Sequence, residues 1–403
     1  MQVGLSSSKG GGEPKSDPPQ ISVLNVVHLL DPVTGGGTAE RTVQLCRSLA
    51  RSGATCSVLT MDIGINRELL DRLKGIDVFT ASTLSRRFPV PLMNPFKLLS
   101  LVRRADVVCL MNHWTALNAI VYWVCRSLRK PYTVCPAGAL QPFGRSAFLK
   151  KIYNWIVGQK LIRNANTCVA ITKSDIDDFL TCGVEVRKIH LIPNGIDPED
   201  FPEDISSGEL KKFRDRHGLG EYPIILFMGR LNRIKGPDLL LDAFVAVSKE
   251  FPEHHLVFVG PDNGLHLDLK QGAESAGLAN RVQFSGYLSG RDKACAYRMA
   301  DILVIPSRRE AMSIVVLEAG VSGTPVLATD RCGLDELAGE GAVKTVSPTS
   351  EAISEGLTSF LAHPVEAREV GARLKMAVYR SYLWLTQARS HLRLFQEIQN
   401  ASG

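Results

Sequence analysis

Ile21-Ser22-Val23-Leu24-Asn25-Val26-Val27-His28-Leu29 is an apolar run of strand length, and three glycines follow it, Gly35-Gly36-Gly37. Beyond them Val43, Leu45, Cys46, Leu49 and Ala50 recur at helical spacing, and Ala54 to Thr60 is a second apolar run. Strand, glycine loop, helix and strand in that order make a βαβ unit, so the sheet is parallel. The alternation continues with strand Val107 to Leu110, helix Ala116 to Leu128, strand Tyr132 to Cys135, helix Phe148 to Ile162, strand Thr167 to Ile171, helix Ser174 to Cys182 and the short strand Ile189 to Ile192. Pro193, Asn194, Gly195, Pro198 and Pro202, interleaved with acids through Asp204, mark a linker. A second series follows: strand Ile224 to Met228, helix Pro237 to Lys249, strands Leu256 to Val259, Arg281 to Phe284 and Ile302 to Ile305, helix Ser313 to Ser322 and strand Pro325 to Ala328. The fold class is therefore α/β, with two doubly wound, Rossmann-like domains of similar size. Ligands of such sheets sit beyond the carboxyl ends of the strands, so two facing sheets build a cleft between them. The expected division is a flexible tail (1–20), a first domain (21–195), a linker (196–204), a second domain (205–380) and a last helical segment (381–403) with Leu383, Leu385, Leu392, Phe395 and Ile398 at helical spacing.

The 403 residues include 45% apolar ones, which excludes the disordered, collagenous and disulfide-scaffold classes. The longest apolar run, Ala116 to Cys125, is half of the ~20 residues that a spanning helix needs. Met1 to Gln20 lacks the apolar core of a secretory signal. Nine cysteines without a C-x-x-C pair argue against a zinc site or a disulfide framework and for a reduced, cytoplasmic setting. Charge is unevenly divided. Residues 1–195 carry 24 Lys/Arg and 13 Asp/Glu, a net of +11, whereas residues 196–403 carry 23 and 28, a net of −5. Val107 to Ser174 holds nine basic residues and no carboxylate, which favours an anionic partner for the first half. Nucleic acid is the weakest such partner, because no recognised nucleic-acid motif accompanies the charge.

Three stretches could carry chemistry. The glycines before the first helix suit an anion, since unpaired amides and the helix dipole point at that loop, although a simple tight turn is the equal alternative. Strand Ile224 to Met228 runs into Gly229-Arg230-Leu231-Asn232-Arg233-Ile234-Lys235-Gly236. Two cations between glycines at a strand's carboxyl end suit a diphosphate, with Arg230 bidentate and Lys235 a point charge; the other reading is a solvated basic loop. Glu310-Ala311-Met312-Ser313-Ile314-Val315-Val316-Leu317-Glu318 spans a helix start with Ser313 as its N-cap. Glu318 then lies on an otherwise apolar helix and needs a partner, either two sugar hydroxyls or a buried cation.

Gly229-Arg230 with Lys235-Gly236, the two glutamates with seven residues between them, Ile192-Pro193-Asn194-Gly195-Ile196-Asp197 and Gly323-Thr324-Pro325-Val326 together resemble the retaining glycosyltransferases of family 4 (glycosyl transferases group 1), which have the GT-B fold. The resemblance runs from about Val26 to the C-terminus and is most specific over 190–336. It implies an acceptor site in the first domain, a nucleotide-sugar site in the second, and a C-terminal helix that crosses back onto the first. By position, Arg230 and Lys235 would grip the donor diphosphate, Glu318 the ribose hydroxyls and Glu310 the sugar hydroxyls. Amides around Met312, Ser313 and Ile314 would meet sugar and phosphate. Gly286, Tyr287 and Leu288 would read the base edge, Gly260 would line the same pocket, and Gly36 and Gly37 would face the phosphates from the opposite domain. The implied activity is hexosyl transfer, with retention and without a metal or other cofactor, to a glycan or lipid-linked acceptor in surface polysaccharide or glycolipid assembly. A non-catalytic nucleotide-sugar-binding protein is the alternative, and a sugar-nucleotide epimerase fits the glutamate spacing less well.

The acceptor side departs from the pattern. Many relatives carry a histidine where this chain has Ala137, in Pro136-Ala137-Gly138, and of their other motif only His113 remains, which makes it the acceptor-side catalytic candidate or a structural histidine. Asp175-Ile176-Asp177 resembles a D-x-D metal motif but sits at a helix start, where acids complement the dipole. His254-His255 read as surface histidines, and Arg308-Arg309 as anion binders or ion-pair partners. Phe148 to Arg163 is an aromatic-rich basic helix. A helix packed on its sheet with solvated lysines is the preferred reading, and peripheral contact with an anionic membrane is the other.

Overall fold

The computed structural model describes residues 21–83, 90–141 and 147–402; the tail expected over 1–20 lies outside them. The first lobe is built on β1 (Ser22–Val26), β2 (Thr55–Met61), β3 (Asp77–Thr83), β4 (Pro91–Leu92), β5 (Val107–Met111), β6 (Tyr132–Cys135), β7 (Thr167–Ala170) and β8 (Ile189–Leu191). They form one sheet in the order β4-β3-β2-β1-β5-β6-β7-β8, parallel except for the β3–β4 edge. The second lobe has β9 (Ile224–Met228), β10 (His255–Val259), β11 (Val282–Gly286), β12 (Ile302–Ile305), β13 (Val326–Thr329) and β14 (Lys344–Val346), all parallel, in the order β11-β10-β9-β12-β13-β14. Central strands such as β9 and β12 are buried at every residue, which is why they read as unbroken apolar runs.

Strand order reverses between β1 and β5 and again between β9 and β12. These are the switch points at which a crevice opens at the strands' carboxyl ends. The loop after β1 carries Gly36, the loop after β5 carries His113, the loop after β9 carries Arg230 and Lys235, and the loop after β12 carries Glu310.

Two crossings join the lobes. The backbone N–H of Ile196 donates to the carbonyl of Tyr382 (2.8 Å), and Trp384 N–H returns the bond to Ile196 (3.0 Å). The last helix, Trp384–Ser402, packs on helix Gly37–Arg51 of the first lobe. Between them lies Arg41, fully buried, donating to Asn194 Oδ1 (2.7 Å) and to the carbonyls of Ile192 and Pro193, with its guanidinium over the Trp384 ring. Linker acids are tied back as well: Asp197 and Glu199 to Arg51, and Asp200 to Arg47.

Four expectations need correction. His255 is the first residue of β10, buried and stacked flat on Tyr222 at 4.0 Å, so only His254 is near the surface. The helix expected over 148–162 is interrupted: Ala147–Tyr153 and Gln159–Arg163 flank a π-turn, Asn154–Gly158, that carries the Asn154 side chain to His113. The same segment does not simply pack on its sheet, because Leu149, Ile156 and above all Trp155, 81% exposed, face solvent. The two sheets are also unequal, with eight strands and six, since β3, β4 and β14 extend the edges.

Candidate functional site

A cavity of about 390 Å³ opens between the lobes. Gly36, Gly37 and Glu40 line it from the first lobe; Arg230, Lys235, Gly260, Tyr287, Leu288, Glu310, Met312, Ile314 and Glu318 line it from the second. Two loops after one strand pair and one helix start thus converge with the glycine loop on a single space. Gly286 and Ser313 are not among its lining residues, although their neighbours Tyr287, Met312 and Ile314 are. The Gly286 carbonyl accepts from Gly260 N–H (2.8 Å), and Ser313 N–H is committed to the Cys332 carbonyl (3.1 Å). Ser313 does hold the N-cap position, yet its buried hydroxyl makes no cap bond and has no partner among the described residues.

Arg230 is the most telling side chain here. Gly36 adopts φ 64°, a left-handed conformation that favours glycine, and any Cβ there would overlap the Arg230 guanidinium across the cleft. No hydrogen bond or ion pair holds that guanidinium among the described residues. Burial pushes its pKa down, and only the more distant Asp31 opposes this. A half-buried cation without a counter-ion, set beside the N-terminus of helix Gly37–Arg51, is an electrostatic demand for an anion. Gly260 meets a similar constraint, since a side chain there would strike the Gly229 carbonyl, so the tips of β9 and β10 approach this closely only with a glycine at 260.

The other charges are already paired. Lys235 Nζ lies 2.9 Å from Glu310 Oε1, and Ser307 Oγ donates to the same oxygen (2.5 Å). Glu310 N–H is anchored on the Arg331 carbonyl (2.7 Å), which fixes the loop. Glu318, buried on helix Ile314–Ser322, takes Lys293 Nζ on Oε1 (2.5 Å) and the Tyr297 hydroxyl on Oε2 (2.5 Å). The buried-cation alternative for Glu318 is therefore realised, and the same carboxylate also lines the cavity. Sequence reasoning missed Lys293 and Tyr297. They lie one turn apart on helix Gly290–Met299, and the apolar setting of Glu318 was the signal to look for such a pair.

His113 does not reach this cavity. It is 1% exposed, its Nε2 is 3.0 Å from Asn154 Oδ1, and its ring sits edge-on to Trp114 and Tyr153. Burial pushes its pKa down to about 4, only partly opposed by Asn154, so the ring is neutral near pH 7. It lines a neighbouring cavity of about 230 Å³ with His28, Gly35, Asn112 and Trp114. Nδ1 of both histidines is buried and has no hydrogen-bond partner among the described residues. Ala137 holds φ 51°, and the next residue, Gly138, packs so closely on Ala311 that a side chain would collide. Of the weaker candidates, Asp175 caps the Ile171 amide (3.0 Å) and Arg308 is bidentate on Asp238. No group of three or more His, Cys, Asp or Glu suited to a metal ion occurs among the described residues. None of their helices is long and apolar enough to cross a membrane.

Two family descriptions match the chain in tandem, Glycosyltransferase Family 4 over residues 35–200 and Glycosyl transferases group 1 over residues 210–375. Among curated proteins, mannosylfructose-phosphate synthase of Agrobacterium fabrum is 32% identical over 219 residues, 52% of this chain and 44% of that protein. A GDP-mannose-dependent alpha-(1-6)-phosphatidylinositol monomannoside mannosyltransferase of Mycolicibacterium smegmatis is 29% identical over 277 residues, 62% of this chain and 72% of that one. The chain thus spans less than half the length of the first relative. Among solved structures, Anabaena HepE in complex with UDP and glucose superposes with a TM-score of 0.78 at 18% identity, over 94% of this chain and 100% of that one.

Proposed function

Because the chain belongs to the family 4, group 1 glycosyltransferases and has their GT-B fold, we propose that it moves a hexose from a nucleoside-diphosphate sugar to a glycan or lipid-linked acceptor, with retention, in surface polysaccharide or glycolipid assembly. The observation that carries this reading is Arg230, a cation without a counter-ion held against Gly36 in the interlobe cavity. In the reaction, the bond from the anomeric carbon to the diphosphate oxygen breaks as the acceptor oxygen bonds to the same face. The nucleoside diphosphate leaves with the electron pair, and a phosphate oxygen takes the acceptor's proton. Arg230, together with Lys235 and the glycine-loop amides, stabilises the charge that grows on the leaving group, and a preorganised cation does this without reorganisation. Glu310 and Glu318 hold sugar and ribose hydroxyls. Charge stabilisation by side chains leaves no step that needs a metal; activity lost to a chelator and regained with manganese would overturn that part.

A thermal-shift panel of UDP-, GDP- and ADP-sugars tests the donor site. One donor should raise the melting temperature, and Arg230→Ala and Glu318→Ala should each abolish that shift. Persistence of the shift in both variants would mean the site is misplaced. Ala137, standing where relatives have a histidine, favours one second reading, a nucleotide-sugar-binding protein without transfer. Donor binding with neither transfer nor slow donor hydrolysis would establish it.

We also propose that the enzyme works at the cytoplasmic face of an anionic membrane. Leu149, Trp155 and Ile156 are exposed among Lys150, Lys151 and Lys160 in the carboxylate-free segment, a combination that suits interfacial binding. Sedimentation equal with neutral and anionic vesicles would refute it.

A further inference from the structure

We propose that Lys293 is a positioning residue that sets Glu318 to receive a vicinal diol, so that the cleft selects ribonucleotides over 2′-deoxyribonucleotides. The inference rests on the donor reading above. A carboxylate has about four lone-pair sites, two on each oxygen. Lys293 occupies one on Oε1 and the Tyr297 hydroxyl one on Oε2. Among the described residues each oxygen has that one partner, which leaves about one site on each for a ligand, and Glu318 lines the cavity. Both donors come from one helix, Gly290–Met299, one turn apart, and Glu318 from the next, so packing of the two helices fixes the carboxylate plane before any ligand arrives. The ammonium stays charged: burial pushes its pKa down, and Glu318 followed by Glu40 of the opposite lobe more than reverses this. Glu40 is itself occupied by Arg72 (3.1 Å between Nη1 and Oε2), which leaves Lys293 to Glu318.

A merely structural ion pair and a positioning pair differ in what their loss does. Without Lys293 the carboxylate keeps only Tyr297 and loses its fixed plane. Diol binding then suffers, while the diphosphate contacts at Arg230 do not. A structural defect would weaken ribose and deoxyribose forms alike.

The test is calorimetric titration of the folded protein with UDP, GDP and ADP, and with the 2′-deoxy counterpart of whichever binds. The wild type should favour the ribonucleotide by about tenfold, as expected for a charge-assisted hydrogen bond. Lys293→Met should reduce that preference below about threefold, and Lys293→Arg should restore most of it. If Lys293→Met does not fold, Lys293→Gln, which keeps a donor and removes the charge, is judged by the same ratio. Wild-type discrimination retained in a folded Met or Gln variant overturns the role of Lys293. Absence of any nucleoside-diphosphate binding by the wild type overturns the donor reading itself, and this inference with it.

Discussion

The two lobes repeat one architecture and bring different chemistry to the space between them. The second lobe contributes ions: Arg230 without a counter-ion, Lys235 with Glu310, and Lys293 with Glu318. The first contributes the Gly36-Gly37 turn, one carboxylate already held by its own lobe (Glu40 with Arg72) and, in the adjoining cavity, the neutral rings of His28 and His113. Yet the first half of the sequence holds the positive excess. Its cations near the interface are already occupied, Arg41 by backbone carbonyls and Asn194, Arg47 and Arg51 by linker acids, Arg72 by Glu40. Net charge counts residues, whereas a site depends on which cation is left without a partner.

That contrast can be broken from either side. The strongest test alters the first lobe's backbone alone. Gly36→Val puts a side chain where the Arg230 guanidinium lies, and should weaken nucleoside-diphosphate affinity about a hundredfold, roughly the loss of one or two charge-assisted bonds. Unchanged affinity in a titration would show that the glycine loop has no part in the donor site. A smaller effect concerns the neutral ring. His113 titrates near 4 when folded and near 6.5 when unfolded, so between those values the unfolded chain binds more protons. Stability must therefore fall as pH drops from 6.5 toward 4, by roughly 3 kcal/mol from this residue. Melting curves against pH should be flatter for His113→Gln by that amount; an unchanged slope would refute a buried neutral imidazole. His391, on the helix that crosses back, is pushed by burial to about 3 and adds to the same acid sensitivity. The smallest effect is local. Ala137 at φ 51° is in a conformation costing an alanine about 1 kcal/mol, and Ala137→Gly should recover about that much in denaturant unfolding while leaving donor affinity unchanged. A loss of stability would mean that the Ala137 methyl, packed on the hydrophobic core, outweighs the strain.

What was legible follows from the same division. β9 and β12 begin and end where the apolar runs do, because strands buried on both faces leave no polar positions to blur them. Charged residues at their tips stand out against that background, and Arg230, Lys235, Glu310 and Glu318 are brought to one cavity. β3, Asp77–Thr83, escaped notice because only Ala81 is fully buried, and β4 because two residues make no pattern. Helix Ser207–His217 did carry a signal, Ser206 and Glu209 in a capping box and Gly218 at its end, but its face is too polar for periodicity to find. Lys293 looks like any surface lysine in sequence, since its meaning depends on a glutamate 25 residues away. His255 resembles its neighbour His254 until the register of β10 turns it inward.

The paired crossings at Ile196 and Leu383 constrain how the lobes can move. A single connecting thread would let one body twist, tilt and swing on the other. Two threads stitched to each other by the Ile196–Tyr382 and Trp384–Ile196 hydrogen bonds tie the lobes together at one place on the chain, which resists such twisting. Any relative movement of the lobes is felt first where Gly36 of one meets the Arg230 guanidinium of the other.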